Sequence, residues 1–144
     1  MYLNWQLHHV GHAVRVLDEG IRFYQDTLGL ELVSREIVSD FDVDIAFLQP
    51  PHTGTENCTK IELLAPCSDS SSVQRFLDTR GEGLHHICFA VTSVTAELRR
   101  LKEKGVRLID ENPRQGAHGL SVAFVHPHST LGVLLEICSA PENS

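Results

Sequence analysis

Two stretches of the chain nearly repeat each other: LHHVGHAV at residues 7–14 and LHHICFAV at 84–91, a constant offset of 77 (84 less 7). A repeat of this kind limits architecture more than composition does, because both halves must then fold to one plan. Further echoes keep the order. Leu28-Gly29-Leu30-Glu31-Leu32-Val33 is answered by Lys104-Gly105-Val106-Arg107-Leu108-Ile109, Ala46-Phe47-Leu48 by Ala123-Phe124-Val125, and Ile61-Glu62-Leu63 by Leu135-Glu136-Ile137. Two copies of about 60 to 70 residues make a duplicated domain rather than a solenoid.

Each copy reads as strand, helix, then three strands. Leu17, Ile21, Tyr24 and Leu28 recur at helical spacing between an N-cap at Asp18 and a stop at Gly29; Val94, Leu98 and Leu101 do so between Ser93 and Gly105. Short β-prone segments follow at 31–37, 43–48 and 60–64, and again at 106–109, 121–125 and 132–138. The expected class is α+β, two tandem βαβββ modules with eight strands in all. Residues 1–144 read as one domain, with modules at about 5–66 and 84–140. Between them, 67–83 is a linker holding a short helix capped near Ser71 and packed through Val73, Phe76 and Leu77.

Function classes narrow by exclusion. The first residues lack the basic-then-apolar layout of a signal peptide, and no apolar run approaches the roughly 20 residues that span a bilayer, so a cytoplasmic location is expected. A formal charge of −7 with dispersed basic residues argues against nucleic-acid or membrane partners. Cys58, Cys67, Cys88 and Cys138 form no C-x-x-C pair and read as free thiols or small buried hydrophobes. Nine histidines are the compositional oddity.

Strand alternation sorts those histidines. Ile87, Phe89 and Val91 share one bulky apolar face suited to a covering helix, so His86 points the other way with Cys88 and Ala90; His9 likewise shares its face with Gly11 and Ala13. Small neighbours leave room beside each imidazole. The duplication also matches Glu62 with Glu136, each inside an apolar strand, where a carboxylate is costly unless paired or bound to a cation. If the modules pair about a pseudo-two-fold axis, His9, Glu62, His86 and Glu136 gather around one point. Such a nitrogen and oxygen set suits one divalent ion, Zn, Ni, Co or Mn.

Taken together, HHVGHAVRVLDEGIRFYQDTLGLELV, KIELLAP, FLDTRGEGLHHICFAV, LKEKGVRLIDENPRQGAHG and VAFVHPHSTLGVLLEI resemble the vicinal oxygen chelate superfamily (glyoxalase, bleomycin resistance, dioxygenase), most closely its methylmalonyl-CoA epimerase family. The resemblance implies a cup-shaped, eight-stranded mixed sheet and places metal ligands on the same four residues. It implies epimerisation of methylmalonyl-CoA or a similar 2-substituted malonyl- or acyl-CoA, by α-proton abstraction through a metal-stabilised enediolate. Glu136 matches one acid/base carboxylate. The second falls in FDVDIAFL, where apolar Ile45 stands at the matching position and Asp44 lies one residue away on the other face; Asp44 is the catalytic candidate for that role, set against an ordinary solvated strand charge. His118 in GAHG can border the site or sit in an ordinary turn, and His128 in HPHS stands where relatives often carry lysine.

Alternatives remain: a glyoxalase-I-like lactoylglutathione lyase taking a glutathione-type substrate, and a metal-free binding protein that sequesters small molecules such as drugs. An extradiol dioxygenase fits less well, since two His and one carboxylate suffice for it. Exposed strand edges favour a homodimer.

Overall fold

A computed structural model describes residues 4–51 and 58–142. Its strands are β1 (Gln6–Ala13), β2 (Glu31–Val38), β3 (Val43–Gln49), β4 (Lys60–Pro66), β5 (Gly83–Ala90), β6 (Arg114–Gln115), β7 (Ser121–Val125) and β8 (Leu135–Ser139). Its α-helices are α1 (Leu17–Arg22), α2 (Ser72–Arg80) and α3 (Val94–Glu103). Two compact units divide the chain: His9–His85, and the residues up to His8 together with those from His86 onward. The boundary therefore falls inside β1 and inside β5.

In the His9 unit the strands run β2-β3-β4-β1, with β1 parallel to β4 and the other pairs antiparallel. In the His86 unit they run β6-β7-β8-β5, with β5 parallel to β8 and the rest antiparallel. One plan serves both, as the repeat requires, and the eight-stranded, mixed α+β class expected from the sequence is what the chain adopts. No helix among the described residues is long and apolar enough to cross a membrane.

Each unit buries one sheet face under a helix. In the His9 unit, Val14, Leu17 and Ile21 pack on Ala46, Leu48, Leu63 and Ala65, with Tyr24 and Leu32 at the margin. Gly20 permits the close approach of α1, since a Cβ there would lie 3.0 Å from a Leu63 methyl. In the His86 unit, Val94 and Leu98 of α3 pack with Val91, Ala123 and Ile137, and Trp5 closes the cluster. The Trp5 ring lies 5.4 Å from that of Phe89, and the Arg100 guanidinium sits 5.9 Å from its centre.

Caps decide where the helices begin. Ser71 accepts a hydrogen bond from Val73 N–H and Ser93 from Ala96 N–H, as the sequence suggests. Asp18 departs from expectation: α1 starts after Val16 with no side-chain cap, and Asp18 occupies the first turn, where it bonds Arg35 at 2.6 Å. A carboxylate there still complements the helix dipole. After Arg22 the helix widens into a π-helical turn, Phe23–Thr27, and ends at Gly29 with φ 77°.

One expected strand moves. Residues 106–109 form only a single bridge, Leu108 with Val125, because Ile109 and Asp110 N–H both donate to Phe124 O while the Asp110 carboxylate takes Phe124 N–H. A side chain there replaces the backbone partner that a ladder needs. β6 supplies the edge strand instead. β8 likewise starts at Leu135 rather than 132, since Leu131 and Gly132 both have positive φ (61° and 96°), a conformation no strand continues through.

Candidate active site

The face of the His9 unit away from α1 can be read row by row from its strand register. Gly11 lies beside Glu62, and Glu62 opposite Phe47. The next row sets Ala13 beside Leu64 and Leu64 opposite Ile45. On the other side, His9 lies beside Lys60. His9 thus shares its face with Gly11, Ala13 and Glu62, as alternation demands. Its Nε2 is 3.7 Å from Glu62 Oε2, and the Phe47 ring meets the imidazole edge-on at 5.3 Å.

The His86 unit repeats this arrangement. Cys88 lies beside Glu136, and Glu136 opposite Phe124. His86 Nε2 is 3.3 Å from Glu136 Oε1, and Phe124 meets the imidazole edge-on at 5.7 Å. All four polar residues are between 4% and 7% exposed. Cys88 and Cys138 are buried on this side, and burial pushes the Cys88 thiol well up, with Cys138 and Glu136 adding to the effect.

Two buried carboxylates, each held against an imidazole, are an expensive pattern for a purely structural core. Bonds of about 2.0–2.2 Å to nitrogen and oxygen set adjacent donors of one cation roughly 3–3.5 Å from each other; the 3.3 Å pair lies within that range and the 3.7 Å pair just beyond it, a small side-chain shift away. The donor set in each unit therefore fits a divalent ion. Phe47 and Phe124 are the residues that sequence reasoning passed over. Their signal was present, since they stand at the same offset of 77 (124 less 47) as the two histidines. Each ring braces an imidazole and so restricts the angle at which its nitrogen is presented.

The other candidates lie elsewhere. Asp44 is one residue from Ile45 and so takes the opposite face of β3, where Arg35 bonds it through Nη2 at 3.0 Å and Nε at 3.5 Å. Strand parity keeps it from the Glu62 side. Ile45 does face that side, and it is buried. His85 rests edge-on against Phe76 of α2 at 4.9 Å. His118 is exposed in the turn Ala117–Gly119 with φ 57°, and His128 is exposed with its N–H donated to His126 Nδ1.

Residues 8–124 match the model of the Glyoxalase/Bleomycin resistance protein/Dioxygenase superfamily, and the chain belongs to that superfamily. Within it, the chain is 37% identical over 134 residues to the ethylmalonyl-CoA/methylmalonyl-CoA epimerase of Cereibacter sphaeroides, covering 92% of this chain and 96% of that one. It is 39% identical over 133 residues to the uncharacterized protein YqjC of Bacillus subtilis, covering 92% and 91%. Among solved structures, a variant of Streptomyces coelicolor methylmalonyl-CoA epimerase in complex with 2-nitronate-propionyl-CoA superposes with a TM-score of 0.89 at 33% identity, covering 98% of this chain and all of that one (100%).

Proposed function

We propose that the chain epimerises methylmalonyl-CoA or a close 2-substituted malonyl- or acyl-CoA, with His9, Glu62, His86 and Glu136 as ligands of one divalent ion. The observation that carries this is the buried His–Glu pair braced by a phenylalanine, present in both units at repeat-equivalent positions. The names of the relatives supply the substrate.

A bound divalent ion supplies Lewis-acid charge that steadies the negative charge developing on a thioester oxygen and its neighbouring carboxylate as the α-proton leaves. Glu136 takes that proton, its carboxylate lying 3.3 Å from His86 Nε2, which holds it in place. Inversion requires return of a proton to the opposite face of the carbon. That task, for which the sequence offers Asp44, is assigned to Glu62, because Asp44 is committed to Arg35 on the other side of β3 and Ile45 has no proton to give. The second carboxyl oxygen of Glu62 would carry the proton it returns while the other serves the ion. Phe47 and Phe124 keep water from the imidazoles and fix their aim. The chain acts in the cytoplasm as a homodimer; β2 pairs only with β3 among the described residues and presents Val33 and Ile37 outward, an edge that a second copy can cover.

Purified protein should retain about one divalent ion per chain, and His9→Ala and His86→Ala should each lose it while keeping the fold. Full metal occupancy in both variants overturns the ligand set. Wild-type protein should exchange the α-hydrogen of methylmalonyl-CoA with solvent deuterium, and Glu62→Gln or Glu136→Gln should abolish the exchange. No exchange with Co(II), Zn(II) or Mn(II) present rejects the epimerase. The apolar Ile45 makes a glyoxalase-type lyase the second activity to assay, with the glutathione hemithioacetal as substrate.

A further inference from the structure

Gln49 is a buried polar side chain at the end of a largely apolar strand. It is the last residue of β3, 5% exposed, and its Oε1 has no hydrogen-bond partner among the described residues. By alternation it shares the face of Ile45 and Phe47, and that face carries Glu62 and His9. Extending the β3–β4 register by one pair brings Gln49 alongside Lys60, diagonal to Glu62 at about 7–8 Å. A buried acceptor with no donor is a standing cost to the folded chain, and such costs persist where a ligand removes them.

The chemistry of the atom narrows the ligand. Oε1 accepts and so requires a donor. The ionised malonyl end of the substrate proposed above offers oxygens alone, all acceptors. The first donor beyond the thioester sulfur is an amide N–H of the pantetheine arm, a few bonds away. We infer that Gln49 is a substrate-recognition residue whose amide oxygen accepts a hydrogen bond from a pantetheine amide N–H, selecting amide-bearing thioesters over plain alkyl ones. This rests on the acyl-CoA assignment and adds to it the part of the carrier that is read.

The test uses two short substrates, methylmalonyl-N-acetylcysteamine, which keeps one amide, and methylmalonyl-S-butyl thioester, which has none. Wild-type protein should show a KM about tenfold lower for the first, the size expected of one net hydrogen bond. Gln49→Leu should raise that KM about tenfold, leave kcat and the butyl thioester unchanged, and melt no lower than wild type, since the unpaired acceptor is gone. Gln49→Glu, which keeps an acceptor, should keep the preference. Undiminished discrimination in Gln49→Leu, or an equal loss on both substrates, overturns the inference. Calorimetric binding of 2-nitronate-propionyl-CoA reads the same contact without turnover: about tenfold weaker binding by Gln49→Leu supports it, and equal affinity, or no binding by wild type, overturns it. A wild type that binds this ligand but epimerises nothing fails the reaction assigned above and not this contact.

Discussion

Replacing Asp44 with asparagine separates chemistry from architecture. In the folded chain, Arg35 spans two carboxylates, Asp18 at 2.6 Å and Asp44 at 3.0 Å, and the Arg35 and Asp44 side chains are 44% and 26% exposed. Exposure of that order lets solvent screen the pair, so its net worth is about 0.5–1 kcal/mol rather than the several expected of a dry one. Asp18 still holds Arg35 after the change. For 144 residues, an unfolding entropy of about 0.3 kcal/mol per degree turns that loss into a Tm lower by about 2–3 °C. The difference should shrink in 1 M salt, where the screening length is about 3 Å. Epimerase turnover should stay within about twofold of wild type, because a general acid or base contributes about a hundredfold or more and the register puts Asp44 on the face of β3 away from Glu62. A hundredfold fall in kcat with the small Tm change intact would refute this placement.

Other outcomes follow from the same geometry. Burial holds the His12 imidazole below its ordinary 6.5 against the pull of Glu82, and His12 Nδ1 lies 2.7 Å from the Tyr24 hydroxyl. The folded chain then binds fewer protons than the unfolded one just below 6.5, so this contribution is whole above that pH and is lost as the pH falls; His12→Gln should flatten the acid limb of a Tm-against-pH curve, and a parallel curve speaks against it. Cys67 is raised by desolvation and then by the charges of Asp42 and Asp44, so a disulfide reagent at neutral pH should label it more slowly than an unperturbed cysteine in a short peptide. Asp42→Asn, which keeps a residue tolerant of φ 54°, should quicken that labelling. Leu131 is 99% exposed at φ 61°, so Leu131→Gly relieves about 1–2 kcal/mol of backbone strain, returns up to about 1 through the unfolded chain, and should raise Tm by about 1–3 °C in a melting experiment.

The repeat made most of the fold legible, because both modules declare strands and helices through local periodicity and through caps such as Ser71 and Ser93. What escaped was competition from a side chain: nothing in RLIDENP announces that Asp110 takes Phe124 N–H and stops a ladder from forming. The His–Glu pairs were legible because alternation and the repeat are written in the chain, with the histidines 77 residues apart (86 less 9) and the glutamates 74 (136 less 62). Which of Asp44 and Ile45 lies on the Glu62 side is fixed by register, and register is settled by pairing with β4 rather than by the strand itself. Gln49 was hidden for a different reason. A glutamine before proline at a strand end looks like ordinary surface, and only burial reveals that its oxygen lacks a donor.

Trp5 shows what the boundary inside β1 means for the polypeptide as a physical object. The indole belongs to the cluster built by α3, β7 and β8, though it is encoded ahead of everything in the other unit. A protein split at the linker would leave the N-terminal fragment carrying a tryptophan it does not need and the C-terminal fragment missing its plug. Grafting the first eight residues onto the front of the later piece, in the manner of a circular permutant, restores what the cut removes. The sequence repeats end to end, yet the two compact units of the product do not coincide with its two halves.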